Sequence, residues 1–207
     1  MVGASETTRS GLIAILRGIT PGEIVEVGAA LVEGGFHAIE VPLNSPDPYR
    51  SIELLATSFG AVCPIGAGTV LRPEEVERAC SAGADIIVSP DTDVEVIAAT
   101  RALGMRSYPG VATPTEAFGA VRAGARNLKL FPSEMLGISG MRAVSAVLPA
   151  DVELIPVGGV DETNLADWRA AGAGGAGIGT AVYRPGDSAR DVGARARRLS
   201  KIWASTP

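Results

Sequence analysis

Lysine and histidine are nearly absent from the chain. Of 18 basic residues only Lys129 and Lys201 are lysines, and His37 is the single histidine. One histidine excludes a multi-histidine zinc centre, which needs two or three such ligands. A Ser-His-Asp triad would have to use His37, and no Gly-x-Ser-x-Gly nucleophile turn accompanies it. His37 opens a predicted strand and is read as structural or surface. Cysteine is scarce too. Cys63 and Cys80 have no CxxC spacing, so neither a disulfide framework nor a cysteine zinc site is implied, and a reducing, cytoplasmic compartment fits. No apolar run approaches the ~20 residues of a membrane helix. The run 12–16, with Glu6 and Arg9 before it, is too short and too poorly flanked for a signal peptide. The net charge is −5 and no basic stripe exists, which argues against nucleic acid as a partner.

What is present is a hydrophobic fraction of 46% over 207 residues, enough for one domain with a full core or for two small ones. Short β-type runs alternate with helical segments. Strands are predicted at 12–16, 38–41, 62–65, 85–88, 105–108, 127–131, 153–157 and 175–178. Helices are predicted at 21–33, from about 46, and at 73–82, 92–103, 114–123, 139–147, 162–170 and 188–203. Pro21 suits a first helical turn, and glycines such as Gly83 and Gly124 suit helix ends. No linker or low-complexity tract divides the chain. Eight sequential units favour an α/β fold, a closed (β/α)8 TIM barrel, as a single domain over residues 1–207. An open dinucleotide-binding sheet would want a Gly-x-Gly-x-x-Gly turn after its first strand. Arg17-Gly18-Ile19-Thr20 is not one.

The active site of a barrel gathers at the C-terminal strand ends. In Asn127-Leu128-Lys129-Leu130-Phe131, alternation puts Leu128 and Leu130 toward the helices and Lys129 inside. A buried ammonium tends to lose its proton, and a neutral amine forms a Schiff base with a carbonyl. Equally, the lysine could be ion-paired or could snorkel to the surface. Glu40, between Ile39 and Val41, faces inward by the same alternation. It could pair with Lys129 or Arg17, and it could shuttle protons. Arg17 ends the first strand in register with Ile13 and Ile15, and its fork suits a carboxylate or phosphate. Thr69 follows two glycines at the third strand end and offers a hydroxyl. Gly158 and Gly159 follow the seventh strand, and Gly179 and Thr180 the eighth. Such loops make tight turns, and in barrels they commonly cradle a phosphate.

Five ordered motifs carry a resemblance over nearly the whole chain. They are LRGIT around Arg17, IEVPLNSP around Glu40, IGAGTVL around Thr69, LKLFPSE around Lys129 and PVGGV around Gly158. Together they resemble the pyruvate-forming class I aldolases of 2-keto-3-deoxy-6-phospho sugar acids, the KDPG/KDPGal aldolase family. The Pro42–Pro46 element and Val157 are similar to the galactonate branch. The gluconate branch tends to carry Leu-Arg-Thr and threonine at those places. Thr180 departs from the serine more common in the family, but the hydroxyl survives. The resemblance implies Lys129 as the imine-forming nucleophile and Glu40 as the proton carrier. It implies Arg17 and Thr69 at the substrate carboxylate, and Phe131 and Pro132 packed on the intermediate. Val157 would read the C4 configuration, with Gly158, Gly159, Gly179 and Thr180 at the phosphate. It implies a small phosphorylated 2-keto-3-deoxy sugar acid as substrate, no cofactor or metal, no membrane partner and a homotrimer. Gluconate-specific or hydroxy-oxoglutarate cleavage, isomerase or epimerase chemistry, and a non-catalytic phosphosugar-binding barrel are the competing readings.

Overall fold

A computed structural model describes residues 10–206, so Glu6 and Arg9 lie outside the described residues. The strands are β1 (Gly11–Ile15), β2 (Ala38–Pro42), β3 (Ile65–Gly68), β4 (Ile86–Val88), β5 (Arg106–Tyr108), β6 (Gly110–Val111), β7 (Asn127–Leu130), β8 (Glu153–Pro156) and β9 (Gly175–Ile178). The helices are α1 (Ile24–Glu33), α2 (Pro48–Phe59), α3 (Pro73–Ser81), α4 (Val94–Ala102), α5 (Pro114–Arg122), α6 (Ser133–Ser145), α7 (Leu165–Ala170) and α8 (Ala189–Ser205). Every strand pair is parallel. This is the α/β fold that the alternating pattern predicts.

One closed eight-stranded sheet is met only in part. The strands form a curled six-stranded sheet, β5-β4-β3-β2-β1-β9, and a three-stranded sheet, β6-β7-β8. Proline explains one of the gaps. Pro109 splits the fifth strand run into β5 and β6, because it has no N–H to donate to a ladder. Beside it, Gly110 N–H turns to the Asp91 carbonyl at 3.0 Å, where a Cβ would strike the Pro90 carbonyl. At the other gap the contact is a single bridge, Val157 to Gly177, with Gly174 N–H donating to the Leu154 carbonyl at 3.1 Å.

Side-chain alternation divides the apolar residues into two clusters. Leu12, Ile39, Val41, Leu128, Leu130 and Ile178 belong to the large layer between strands and helices. Ile13, Ala38, Ile86, Val88, Tyr108, Ile155 and Val157 form a smaller cluster on the concave side, with Ile15 and Phe131 packed against it. Each fully buried Ile or Leu contributes roughly 1.5–3 kcal/mol of transfer free energy, so the outer layer dominates stability. Local chemistry sets the helix starts. Thr113 and Glu116 form a reciprocal capping box ahead of Pro114, and Asp93 accepts from the Glu95 N–H at 2.8 Å.

Four elements depart most from their sequence boundaries. α1 starts at Ile24 instead of 21, so Pro21 lies in the turn before the helix and not in its first turn. β3 runs Ile65–Gly68 instead of 62–65, and Val62 is 73% exposed. Gly66-Ala67-Gly68 looks like a loop but is fully buried strand, because a Cβ at Gly66 would strike Ile86. α6 starts at Ser133, six residues earlier than predicted, and breaks at Gly137 with φ 65°. α7 starts late, at Leu165. Residues 161–164 instead form a turn in which Asp161 accepts from the Thr163 N–H at 2.8 Å and its hydroxyl at 2.6 Å.

The floor of the concave side is polar. Ser10 Oγ donates to Glu153 Oε2 at 2.7 Å, and Asn127 Nδ2 donates to both. His37 sits at this end, where its Nδ1 accepts from the Leu12 N–H at 3.2 Å and its ring fills the space above Gly11. That agrees with a structural histidine. No helix of the described residues is long and apolar enough to cross a membrane.

Candidate active site

Lys129 and Glu40 point to the concave side, as alternation along β7 and β2 requires. Both line a small interior cavity with Ile13, Ile15, Val88, Tyr108, Ile155 and Val157. Lys129 is 7% exposed and Glu40 2%. Such burial places both in a medium that disfavours charge. It pushes the Glu40 carboxyl up to about 7, with Lys129 and Arg17 pulling weakly the other way. It also pushes the Lys129 amine below its ordinary value, partly offset by Glu40 and reinforced by Arg17. Both groups are therefore biased toward neutrality. They are not among the five ion pairs of the described residues. Glu40 Oε2 is buried without a hydrogen-bond partner. An unpaired buried carboxylate oxygen is costly, which agrees in sign with the raised pKa.

Neighbours hold the pair in place. Lys129 Nζ stands 4.5 Å from the centre of the Phe131 ring, within cation–π range. The Glu40 carboxylate occupies space left by Gly68, whose hypothetical Cβ would collide with it. In the next turn Thr69 has φ +56°, a left-handed conformation uncommon outside glycine and worth about 1 kcal/mol of strain. Strain held beside a buried ionisable pair is a pointer to function.

Arg17 is exposed at the rim. Its guanidinium donates to Asn44 Oδ1 at 2.6 Å and reaches Thr69 Oγ1 at 3.5 Å. Gly18 N–H donates to Ser45 Oγ at 3.0 Å, so the turn after β2 brackets the turn after β1. Arg17 and Thr69 therefore do meet.

A larger cavity of about 480 Å³ opens beside this rim. Arg17, Phe131, Val157, Gly158, Gly159, Gly179 and Thr180, all singled out in the sequence, line it. Gly158 and Gly159 have φ of 105° and 66°, which a side chain would strain. Gly179 differs: a Cβ there would meet nothing within 4 Å, so its smallness leaves open space in the cavity. Thr69 and Pro132 line neither cavity. Pro132 lies behind Gly158, about 3.7 Å from where a Cβ would stand.

Sequence reasoning missed several groups. Asn44 was visible only as part of a motif, and its bond to Arg17 needs the turns of β1 and β2 side by side. Asp161, Glu162, Thr163 and Arg184 line the large cavity from loops with no pattern of their own. The available signal was position, since each follows the last two strands.

An α/β frame with a buried lysine and glutamate at its strand ends, beside a glycine-edged cavity, defines a small-molecule site built for carbonyl chemistry. The chain belongs to the KDPG and KHG aldolase family, whose model matches residues 4–192. It is 52% identical over 185 residues to a probable 2-dehydro-3-deoxy-6-phosphogalactonate aldolase of Rhizobium meliloti, covering 89% of this chain and 87% of that one. It is 45% identical over 196 residues to the 2-dehydro-3-deoxy-6-phosphogalactonate aldolase of Escherichia coli, covering 95% and 96% of the two chains. A solved native KDPGal structure superposes with a TM-score of 0.93 at 43% identity, covering 100% of this chain and 98% of that one.

Proposed function

We propose that the protein is a class I aldolase that cleaves 2-dehydro-3-deoxy-6-phosphogalactonate to pyruvate and D-glyceraldehyde 3-phosphate. One observation carries the chemistry: Lys129 and Glu40 are buried together in a small interior cavity that shares Ile15, Val157 and Gly177 with the glycine-edged cavity. The relatives at 52% and 45% identity support the substrate.

The neutral Lys129 amine attacks the C2 ketone and, after loss of water, forms an iminium ion. The C3–C4 bond breaks, its electrons pass into the iminium as an enamine, and the C4 hydroxyl gives its proton to Glu40. The aldehyde leaves, C3 takes a proton, and hydrolysis releases pyruvate and regenerates Lys129. Arg17 and Thr69 hold the carboxylate. Phe131 and Pro132 support the intermediate, and Gly158, Gly159, Gly179 and Thr180 receive the phosphate. The lysine supplies the electron sink, so the scheme uses no metal or cofactor.

The test is to offer the galactonate compound and its C4 epimer separately and follow pyruvate with lactate dehydrogenase. Preference for the galactonate compound is expected. Preference for the gluconate compound would overturn the substrate, and pyruvate from neither would overturn the reaction. Val157 is the residue proposed to read C4. It is buried, and its Cγ2 would lie 2.6 Å from a Cβ at Gly177, so it fills the wall tightly. Val157→Thr adds a hydroxyl at nearly constant volume and should shift relative kcat/KM toward the epimer by ~10-fold. An unchanged ratio would place the discrimination elsewhere. Gly68→Ala should act through Glu40: the new methyl displaces the carboxylate, lowers kcat by ~100-fold and costs about 1–3 kcal/mol of stability in urea unfolding. Normal kcat in that variant would mean that β3 does not set the Glu40 geometry.

We also propose that the two sheets work as one (β/α)8 barrel in a single domain. The Val157–Gly177 bridge and the Lys129 N–H bond to the Pro109 carbonyl at 2.9 Å support closure at the two gaps. The family resemblance supports a homotrimer, and the unpaired cysteines support a cytoplasmic site of action.

A further inference from the structure

The large cavity has an electrostatic problem. Its glycine loops suit a phosphate, yet Asp161 and Glu162 line the same cavity. Glu162 is paired with Arg198 at 2.9 Å. Among the described residues Asp161 takes part in no ion pair; hydrogen bonds from Thr163 hold its carboxyl below the usual range, so it stays charged. A doubly charged phosphate entering here needs a compensating cation. Arg17 and Arg184 are the cations lining the cavity, and Arg17 is bound to Asn44 and Thr69.

Arg184 is held for the task by its surroundings. Tyr183, next to it, is 2% exposed and donates its hydroxyl to Glu23 Oε1 at 2.9 Å. The Arg184 N–H donates to Asp187 Oδ2 at 2.8 Å, and the Asp187 N–H returns to the Arg184 carbonyl at 3.0 Å. Pro185 packs over Gly18, whose Cβ would lie 2.9 Å from the proline ring. The loop is thus pinned beside the Arg17 turn. The acid nearest in sequence, Asp187, is already paired with Arg195 at 2.6 Å. Among the described residues, the guanidinium of Arg184 takes part in no ion pair. An exposed loop arginine is ordinarily just solvated; a pinned loop, a cavity-lining position and an acid lining the same cavity distinguish this one.

We propose that Arg184 neutralises the distal phosphate of the substrate and makes the site selective for a doubly charged terminus. This rests on the phosphorylated-substrate reading above. The planar fork can give two parallel charge-assisted hydrogen bonds to phosphate oxygens and brings a full positive charge, which backbone amides lack.

The test compares wild type, Arg184→Ala and Arg184→Lys on the phosphorylated acid and on its unphosphorylated counterpart. Arg184→Ala should raise KM for the phosphorylated acid by ~10–100-fold with kcat nearly unchanged, and leave kcat/KM for the unphosphorylated acid intact. Arg184→Lys should recover part of the loss. Equal loss on both acids, or no change in KM, would overturn the proposal. Calorimetry with glycerol 3-phosphate gives a readout without turnover. If wild type releases no pyruvate, the aldolase reading falls, while equal glycerol 3-phosphate affinity in wild type and Arg184→Ala would separately sink the role of Arg184.

Discussion

Lys129→Ala should lower the rate of pyruvate release by ~10⁴-fold or more, the largest effect expected of any single substitution here. The reason is that nothing can replace the amine. The other lysine, Lys201, is exposed on α8. Arg17 is at the rim, and a guanidinium keeps its proton and is no nucleophile. Lys129→Arg separates the two roles a cation could play. If Lys129 served only as a positive charge for Glu40 or for the substrate, arginine would preserve activity. If it is the nucleophile, arginine is as inactive as alanine. Borohydride reduction in the presence of pyruvate gives a second readout, a stable three-carbon adduct on wild type that neither variant forms. Lys129→Ala should still fold, since it removes a buried polar head group and its desolvation cost; Lys129→Arg keeps a buried charge on a larger side chain, so its folding is verified by urea unfolding before its activity is read. Turnover or an adduct in Lys129→Ala would take lysine out of the mechanism.

The residues of this prediction were legible in the sequence because strand alternation is a strict period of two. Once 127–131 reads as a strand, Leu128 and Leu130 fix the outer face, and Lys129 has to face in. Glu40 follows from Ile39 and Val41 in the same way, and both assignments match the two apolar clusters. Where alternation carries no information, the reading slipped. Glycine has no side chain to alternate, so Gly66-Ala67-Gly68 passed for a loop although its steric role places it in β3. The split at Pro109 is a matter of one missing N–H, and its effect on sheet continuity depends on where Pro90 and Asp91 lie in space. Asn44 and Arg184 lie on loops that converge only in three dimensions. Loop residues have no period to betray which way they point.

Glu40→Gln should lower kcat by ~10²–10⁴-fold, the range of a positioned general acid–base group. The glutamine keeps the shape that fills the space beside Gly68 but cannot take the C4 proton. The pH profile is the sharper test. In the proposed scheme cleavage uses the carboxylate as the proton acceptor, so wild-type kcat/KM should rise with pH through about 7, where burial has raised the Glu40 pKa. Lys129 also has to be neutral to attack, and its lowered pKa works in the same direction. Because the two are coupled through the cavity, the inflection belongs to the pair. In Glu40→Gln the inflection near 7 should be lost or displaced, because only the titration of Lys129 is left. Linkage sets a matching sign for stability. The folded-state pKa lies above the ordinary value of 4.5, so the stabilising contribution of Glu40 is fully present below about 4.5. It is lost as pH rises through about 7, and wild type becomes less stable just where it becomes active. A wild-type profile flat between pH 5 and 8, or an inflection at an unchanged pH in Glu40→Gln, would assign the proton transfer to another group. The burial that makes Glu40 a poor structural residue at neutral pH is what keeps its pKa close to the pH at which it has to accept and return a proton.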